Sequence, residues 1–453
     1  MFIIYDLIFM LFSIIYIPIY LFRGKFHAGF RQRLGILPRD LKLDRPIWVH
    51  AVSVGEAVAI KGLVEELRMA YPEKKFVIST VTPTGNKIAR GIAHPQDLVV
   101  YLPLDLSFIV RSVIRRIKPL FFVIAETEIW PNLISSLYCE RIPVITVNGR
   151  ISDASFKGYL AIRILLKSIL NKISLFCVQG NRDKERLLRL GVIPEKVKVT
   201  GNMKFDNADN ADSRGLSRRP DRIVGGRDPD KNFILDASGH ADSADWRSRM
   251  GIEPQDKLLV AASTHPGEEG IILAAYQGLL QNFPQLKLLI APRHPERAKE
   301  IERLVTKFGF SPALISRLYQ TPNTKHLTPV FILDTIGQLT SIYAVSDIVF
   351  VGGSLVKKGG HNILEPIVLG KPVLSGPHMF NFRDIAALFS GKQALITVHN
   401  EEELKNRIND LLSDPDIVSG LTQKARELMR ENQGATRRNL EYIREVIASG
   451  SAL

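Results

Sequence analysis

Residues 46–80, PIWVHAVSVGEAVAIKGLVEELRMAYPEKKFVIST, decide the fold. Residues 46–52 form an almost continuous apolar run, residues 57–69 carry apolar side chains at helical spacing, and residues 74–80 form a second apolar run. Strands that are apolar along their whole length are covered on both faces, which is typical of parallel sheets joined by helices. This stretch therefore predicts one strand–helix–strand unit of a doubly wound α/β domain.

The same alternation continues along the rest of the chain. We predict further strands at 98–104, 120–126, 142–148, 174–180 and 196–202 in the first half, and at 257–263, 286–292, 329–334, 347–354, 371–377 and 393–398 in the second half. A chain of 453 residues is too long for one core. The predicted fold class is therefore α/β with two doubly wound domains.

Changes in composition predict the domain boundaries. Residues 207–250 are rich in Asp, Arg, Ser and Gly with little periodicity, and we interpret them as a linker with a surface insertion. The first domain is then predicted at 24–206 and the second at 251–430. Residues 431–453 have the pattern of an amphipathic helix, which we expect to pack back on the first domain.

The N-terminus has a different character. Residues 1–22, MFIIYDLIFMLFSIIYIPIYLF, carry one charge, on Asp6, and this length can span a hydrocarbon core of about 30 Å. Four basic residues follow: Arg23, Lys25, Arg31 and Arg33. We therefore expect residues 1–23 to be a membrane anchor that keeps the downstream domains on the cytoplasmic side. Because Asp6 and Pro18 weaken a full span, a helix lying in the membrane interface is the alternative.

The net charge suggests an anionic partner. Lys and Arg number 60 against 46 Asp and Glu, which leaves +14 at pH 7. Lipid headgroups, a phosphorylated glycolipid or a nucleotide fit this excess, whereas nucleic acid is disfavoured because the basic residues are spread out without an aromatic platform. The two cysteines, Cys139 and Cys177, lie in apolar runs. We expect them to be buried thiols in a reducing compartment, not a disulfide or a metal pair.

In parallel sheets ligands bind beyond the carboxyl ends of the strands, so the residues that follow each run are candidates. Glu56 follows the first run, where a carboxylate could act as a general base. The pattern Ser53-x-x-Glu56 is also a capping box, in which Glu56 would only bond to the start of its own helix. Glu126, Glu128 and Trp130 follow another run and are typical either of a polar acceptor surface or of a helix N-terminus.

The second half carries candidates for binding an anion. Arg293 and His294 follow one strand and could bind a phosphate. Gly352–Ser354 and Gly359–Asn362 flank a short basic loop, and glycines before a helix let backbone N–H groups approach phosphate oxygens. Glu365, one turn further, suits a ribose diol. No cluster has metal-ligand spacing and no Walker or GxGxxG loop is present, so we expect no metal or other cofactor and disfavour a kinase or an NAD enzyme.

Eight segments, in this order, resemble one known family. They are WVHAVSVGE (48–56), TVTPTG (80–85), YLPLD (101–105), ETEIWPNL (126–133), NGRIS (148–152), GNMKFD (201–206), APRHPER (291–297) and FVGGSLVKKGGHNILEP (350–366). Together they resemble the bacterial 3-deoxy-D-manno-octulosonic acid (Kdo) transferases over nearly the whole chain after residue 23. The resemblance implies the GT-B architecture, two Rossmann-like domains facing a cleft, with metal-independent transfer and inversion at the anomeric carbon.

The resemblance also implies roles for individual residues. Glu56 matches the catalytic carboxylate, which would deprotonate the acceptor hydroxyl. The positions that match nucleotide-binding segments are Pro292, Arg293, Ile336, Gly337, Gln338, Asn362, Ile363, Leu364 and Glu365. One departure is Gln338, because the family usually has Glu there.

By resemblance, the protein would move Kdo from CMP-Kdo to the lipid A precursor in lipopolysaccharide biosynthesis. Its partners would be CMP-Kdo, the lipid A precursor and membrane lipids, with no nucleic acid, and it would lie at the bacterial inner membrane. Two other classes are kept as alternatives: a nucleotide-sugar epimerase of similar architecture, and a non-catalytic membrane protein that binds a CMP-sugar.

Overall fold

A computed structural model describes residues 5–7, 9–11, 29–38, 41, 43–206, 243–318 and 329–449. The chain divides into two compact units, the first formed by Met1–Asn207 and Asn432–Leu453 and the second by Ala208–Glu431. Most of the predicted anchor lies outside the described residues, but residues 5–7 and 9–11 are helical. Within the described ranges, no helix is both long and apolar enough to cross a membrane.

The first unit is built around a parallel sheet of seven strands in the order β3-β2-β1-β4-β5-β6-β7. Its described elements are α1 (Phe30–Arg33), β1 (Ile47–His50), α2 (Val54–Ala59), α3 (Lys61–Ala70), β2 (Phe76–Thr80), α4 (Pro83–Ile92), β3 (Leu98–Tyr101), α5 (Ser107–Ile117), β4 (Phe121–Ala125), α6 (Pro131–Cys139), β5 (Val144–Gly149), α7 (Asp153–Ala161), α8 (Arg163–Leu170), β6 (Leu175–Val178), α9 (Asn181–Arg189), a 3₁₀ turn (Pro194–Lys196), β7 (Val197–Val199) and, from the end of the chain, α18 (Ala435–Ala448).

The central strands of this sheet are buried on both faces. Every residue of β1, β2, β4 and β5 is buried, as the continuous apolar runs predict. In the register, Ile47 of β1 lies between Phe76 of β2 and Phe121 of β4. After β1 the chain adds β2 and β3 on one side of it, and β4 then pairs with the other side of β1. The boundary between β1 and β4 is therefore a topological switch point.

The second unit repeats this plan with a parallel sheet in the order β10-β11-β9-β8-β12-β13-β14. Its described elements are α10 (Ser243–Arg249), β8 (Lys257–Thr264), α11 (Glu268–Leu279), β9 (Leu286–Pro292), a 3₁₀ turn (Pro295–Arg297), α12 (Ala298–Lys307), β10 (Ser311–Leu314), a 3₁₀ turn (Ile315–Arg317), β11 (Pro329–Ile332), α13 (Leu339–Val345), β12 (Ile348–Val351), α14 (Leu364–Val368), β13 (Val373–Ser375), α15 (Arg383–Gly391), β14 (Ile396–Thr397), α16 (Glu401–Ser413) and α17 (Pro415–Asn432).

The two doubly wound sheets confirm the predicted fold class, with a few differences. Each predicted run contains one strand, but β10 was not predicted, because it is a short edge strand that contains Pro312. Residues 207–242 of the predicted insertion lie outside the described residues. Helix α10, which falls within the predicted insertion, packs into the second unit through buried Trp246 and Met250. The expectation for Cys139 was wrong: it is exposed at the end of α6, while Cys177 is buried in β6.

Helix α18 belongs to the first unit although it lies at the end of the chain. Leu440 and Ile443 join the core that covers α3. The carboxylate of Asp206 accepts hydrogen bonds from the backbone N–H groups of Gly434 (2.7 Å) and Thr436 (2.6 Å). Because the first N–H groups of a helix have no partner inside the helix, this distant carboxylate acts as the N-terminal cap of α18.

Candidate active site

The candidate residues lie at the carboxyl ends of the central strands in each sheet. Glu56 follows β1 and Glu126 follows β4, the two strands at the switch point of the first unit. Glu126, Asn148 and Ser263 adopt left-handed backbone conformations, with φ of 58°, 53° and 54°, although they are not glycines. Such conformations persist where the surrounding structure enforces them, often at functional sites.

Glu56 lies in the first turn of α2, and its side chain turns back toward the loop after β1. The backbone N–H of Val52 donates to Oε2 (2.7 Å) and the hydroxyl of Ser53 donates to Oε1 (2.9 Å). The Ser53 oxygen also accepts a bond from the N–H of Glu56 (3.5 Å). The capping interaction predicted from Ser53-x-x-Glu56 is therefore present. The capping interaction orients the carboxylate, and it does not prevent Glu56 from accepting a proton.

The surroundings of Glu56 favour its protonated form. Burial, reinforced by the negative charges of Glu126 and Glu128, raises the pKa of the Glu56 carboxyl from 4.5 to about 7, although the bonds from Val52 and Ser53 oppose this shift. Burial and Glu126 also raise the pKa of Glu128. The first unit thus brings three predicted carboxylates close enough to influence one another. A carboxylate with a pKa near 7 is suited to general-base catalysis at neutral pH.

His50 was not predicted as part of this site. It is fully buried at the end of β1, and its Nδ1 lies 3.0 Å from the backbone oxygen of Ser79. Burial lowers the pKa of His50 to about 4, so its ring is neutral at pH 7. Its ring centroid is 6.4 Å from that of Trp130, and within the described residues neither His50 Nε2 nor Trp130 Nε1 has a hydrogen-bond partner. The sequence signal was a histidine inside an otherwise apolar strand.

On the second unit, three histidines meet beside Arg293. Pro292 ends β9, and the N–H of the exposed Arg293 donates to the backbone oxygen of Thr264 (3.0 Å). The rings of His265 and His361 stack at 5.2 Å with their Nε2 atoms 2.9 Å apart, and His294 lies 6.1 Å from His265. Burial and the nearby positive charge of Arg293 lower the pKa of His361 to about 4. Burial also lowers the pKa of His265, so both rings are neutral at pH 7 and one can donate to the other.

Glu268 organises this region and was not singled out from the sequence. Its side chain is completely buried at the start of α11 and accepts four backbone N–H bonds, from His265 (2.9 Å), Gly353 (2.7 Å), Ser354 (3.0 Å) and Leu355 (2.9 Å). The expectation that the N–H groups of Gly353 and Ser354 bind phosphate is therefore wrong, because Glu268 already occupies them. The signal was a pair of acidic residues opening a helix after a strand.

The segment Asn362–Glu365 forms the start of α14. Asn362 Oδ1 accepts the N–H of Leu364 (3.1 Å), and Asn362 Nδ2 donates to Glu365 Oε1 (2.9 Å). Burial raises the pKa of Glu365 while this bond opposes the shift. The side chains of Ile363 and Leu364 are fully buried in the core. Of these four residues, only Asn362 and Glu365 can therefore offer side-chain atoms to a ligand.

Ile336, Gly337 and Gln338 follow β11 at the same edge of the sheet. Ile336 is 86% exposed, which is unusual for so apolar a side chain, and Gly337 has φ of 93°. The side-chain oxygen of Gln338 accepts a bond from the hydroxyl of Thr335. An exposed apolar side chain beside polar groups could pack against the flat face of a base.

A cavity of about 400 Å³ at the ends of β13 and β14 was also missed. Its lining residues include Ser375, His378 and Arg383. The N–H of His378 donates to the backbone oxygen of Ser354 (2.9 Å), and the N–H of Asn381 donates to that of Gly359 (3.0 Å). The cavity is thereby tied to the predicted nucleotide loop, and its histidine and guanidinium groups suit a carboxylate.

Comparison with known proteins relates these features to a family. Residues 28–207 match the family described as 3-Deoxy-D-manno-octulosonic-acid transferase (kdotransferase), and residues 244–432 match Glycosyl transferases group 1. The chain is 35% identical over 401 residues to the 3-deoxy-D-manno-octulosonic acid transferase of Haemophilus influenzae, covering 88% of this chain and 86% of that protein. It is 29% identical to that of Chlamydophila psittaci, covering 94% and 90%.

The solved structures with similar folds are more distant in sequence. A UDP-N-acetylglucosamine 2-epimerase superposes with a TM-score of 0.57 at 14% identity, covering 90% of this chain and 97% of that one. A glycosyltransferase from Rickettsia africae ESF-5 gives 0.55 at 14% identity, covering 89% and 99%. At this identity the likeness concerns the fold, which is the GT-B type. The matched family and the curated relatives go further: the chain belongs to the 3-deoxy-D-manno-octulosonic acid transferase family of glycosyltransferases.

Proposed function

We propose that this glycosyltransferase moves Kdo from CMP-Kdo to the lipid A precursor, with Glu56 as the general base. The observation that carries the proposal is the buried carboxylate of Glu56, whose pKa is raised to about 7 at the end of a central strand. A general base works best when its pKa lies near the working pH. If Glu56 were only a helix cap, the neighbouring carboxylates Glu126 and Glu128, which raise its pKa, would have no part in its role.

In the proposed reaction, Glu56 takes the proton from an acceptor hydroxyl as the oxygen attacks the anomeric carbon of Kdo. The bond between that carbon and the phosphate oxygen breaks, CMP leaves with the electron pair, and the configuration inverts. Glu126 and Glu128 lie near Glu56, and Trp130 lies beside His50. These three residues are the proposed acceptor side. The Nε2 of His50 and the Nε1 of Trp130, which have no hydrogen-bond partner among the residues that the structure describes, offer one acceptor and one donor there.

The proposed donor side lies on the second unit. The guanidinium of Arg293 would neutralise charge that develops on the phosphate as CMP leaves. Asn362 and Glu365 would bind the ribose, and the exposed Ile336 would pack against cytosine. The cavity containing His378 and Arg383 would receive the carboxylate of the sugar acid.

The transfer reaction itself can be tested with purified full-length protein, CMP-Kdo and a tetra-acylated lipid A precursor in detergent with a chelator, the products being resolved by mass. We expect a mass increase of one or more Kdo units. Intact acceptor together with bound CMP-Kdo would instead favour a non-catalytic binding protein. Conversion of a nucleotide sugar without acceptor would favour an epimerase.

The raised pKa of Glu56 predicts the pH dependence of transfer. Since only the deprotonated carboxylate can accept the proton, kcat/KM should rise with pH and reach half of its plateau near pH 7. The measurement is kcat/KM from initial rates assayed at each pH between 5 and 9. As a control for denaturation, enzyme preincubated at each of these pH values is assayed at one common pH. A rate that is constant from pH 5 to 7 would contradict the proposed base.

We also propose that the N-terminal segment attaches the protein to the cytoplasmic face of the inner membrane, close to its lipid acceptor. Asp6 supports this proposal, because its carboxylate accepts bonds from the N–H of Ser107 (3.1 Å) and from Asn132 Nδ2 (2.7 Å). The one charge of the apolar segment is thus held by the first unit. Leu7 and Leu11, in contrast, are 58% and 65% exposed.

Replacing Leu7 and Leu11 with Glu should weaken attachment while retaining the bonds of Asp6. We expect less cosedimentation with lipid vesicles, and a larger loss of transfer to membrane-embedded acceptor than to detergent-dispersed acceptor. Ile193 and Ile417 are also exposed and lie elsewhere, so their replacement with Glu is the matched control. Equal losses with both forms of acceptor would contradict a role in attachment.

A further inference from the structure

A cavity of about 440 Å³ opens at the amino-terminal edge of the first sheet, away from Glu56. Arg45 lies just before β1, Lys118 just before β4 and Arg141 just before β5, and all three line the cavity. The five residues of β4 separate Lys118 from Glu126, a length of about 16 Å at about 3.3 Å per residue. The cavity is therefore separate from the proposed active site.

The cavity is strongly cationic. Arg45, Arg115, Lys118 and Arg141 line it, against a single acid, Glu140. Within the described part of the chain, none of these four cationic side chains forms an ion pair or a hydrogen bond. Four unpaired cations repel one another, and a bound anion would relieve that repulsion.

The backbone beneath these cations is unusual. Arg45, Lys118 and Arg141 have φ of 40°, 46° and 57°, the left-handed region that favours glycine. Lys118 occupies the C-cap of α5, a position commonly taken by glycine near a helix end. Among the described residues, three of the seven left-handed residues other than glycine thus meet at one cavity, and three others lie at or just after the carboxyl ends of β4, β5 and β8. Left-handed residues other than glycine cluster at active sites and ligand-binding sites, and here three of them carry cationic side chains.

The floor of the cavity is apolar. Ile114 is buried, and Leu120, Ile142 and Ile447 are half-buried around it. A cationic rim above an apolar floor matches a molecule with a phosphate at one end and hydrocarbon at the other. Ile447 belongs to α18, so a ligand here would also contact the last helix of the chain.

We propose that this cavity is a second binding site, which takes a phosphorylated amphiphile through Arg45, Arg115, Lys118 and Arg141. The same chemistry is found in the headgroup of an anionic lipid and in a soluble alkyl phosphate. The competing explanation is that Lys118 and Arg141 only complement the negative ends of α5 and α6.

The double variant Lys118→Gly/Arg141→Gly separates these explanations. Glycine fits the left-handed backbone and removes both charges, so a binding role predicts a Tm equal to or above that of the wild type, with weaker phosphate binding. If the cations serve only the helix ends, the Tm should fall and phosphate binding should be unchanged. The variant Lys299→Gln/Lys307→Gln removes two exposed charges from α12 and is the matched control.

Binding can be measured with full-length protein and hexyl phosphate by calorimetry, and with phosphatidylcholine vesicles with or without phosphatidylglycerol by flotation. We expect the glycine variant to bind hexyl phosphate at least tenfold more weakly than the wild type and the control. If the glycine variant also binds anionic vesicles more weakly than the wild type, the site is assigned to a lipid headgroup. If only its binding of hexyl phosphate is weakened, the site is assigned to a soluble ligand. Absence of binding by the wild type, or equal binding by the glycine variant, would overturn the proposal.

Discussion

Glu56→Gln is expected to reduce Kdo transfer by roughly 10²–10⁴-fold, the usual contribution of general-base catalysis, while CMP binding is unchanged. The amide is nearly isosteric with the carboxylate, so its oxygen can still accept the N–H of Val52 and its NH₂ can donate to the oxygen of Ser53. What it cannot do is accept a proton. The measurement is the single-turnover rate of transfer together with the Kd for CMP.

The control for this prediction is Ser53→Ala, which removes the cap but leaves the carboxylate. Loss of a helix cap costs about 1 kcal/mol of stability. If Glu56 is the base, Ser53→Ala should lower the free energy of unfolding while most of the transfer rate remains. If Glu56 only caps α2, both variants should retain activity, and that result would refute the base assignment.

Glu56→Gln should increase the free energy of unfolding at neutral pH, whereas a role as a helix cap alone predicts no such increase. The pKa of Glu56 is raised from 4.5 to about 7 on folding, so the folded protein holds the proton more tightly than the unfolded chain. Stability from this group is therefore greatest below pH 4.5 and is lost as the pH rises through about 7. Gln does not titrate, so the variant should gain stability relative to the wild type between those pH values and keep that gain above pH 7.

The sequence predicted the parts of the structure that depend on local pattern. Continuous apolar runs located the buried strands, because parallel strands covered on both faces must be apolar throughout. Ligands bind beyond the carboxyl ends of parallel strands, and this principle located Glu56, Glu126 and Arg293, because side chains that follow parallel strands meet at one edge of the sheet. The edge strand β10 escaped notice because an exposed short strand containing Pro312 lacks that pattern.

The parts that escaped prediction depend on contacts between distant residues. His265 and His361 are separated by nearly a hundred positions but stack as a pair, and no spacing in the sequence indicates this. The bonds from the N–H groups of residues 353–355 to Glu268 likewise require this backbone segment to lie over the start of α11. Left-handed conformations at Arg45 and Arg141 are equally invisible, because glycine, which would mark them, is absent there.

Glu268→Ala is expected to destabilise the second unit by more than about 4 kcal/mol, because it leaves four N–H groups without this acceptor, two of them fully buried and two partly buried. Each such group costs about 1–3 kcal/mol, and the costs do not add fully. Glu268→Gln should be intermediate, since its one oxygen can keep part of the bonds while its NH₂ faces the remaining donors. CMP affinity should fall in the same order, because the backbone oxygen of Gly353 accepts the N–H of Gly360 (2.8 Å), just before the proposed ribose-binding residues Asn362 and Glu365.

Hydrogen exchange of the full-length protein can test this by following the amides of His265, Gly353, Ser354 and Leu355, which donate to Glu268. These amides should exchange much faster in Glu268→Ala, while the strands of the first unit keep their protection. Glu427→Gln, on an exposed face of α17, is the matched control and should change stability by no more than about 0.5 kcal/mol. If all four amides stayed protected in Glu268→Ala, the loop would not depend on the carboxylate, and the other bonds of this segment, such as that from His378 to Ser354, would be sufficient to hold it.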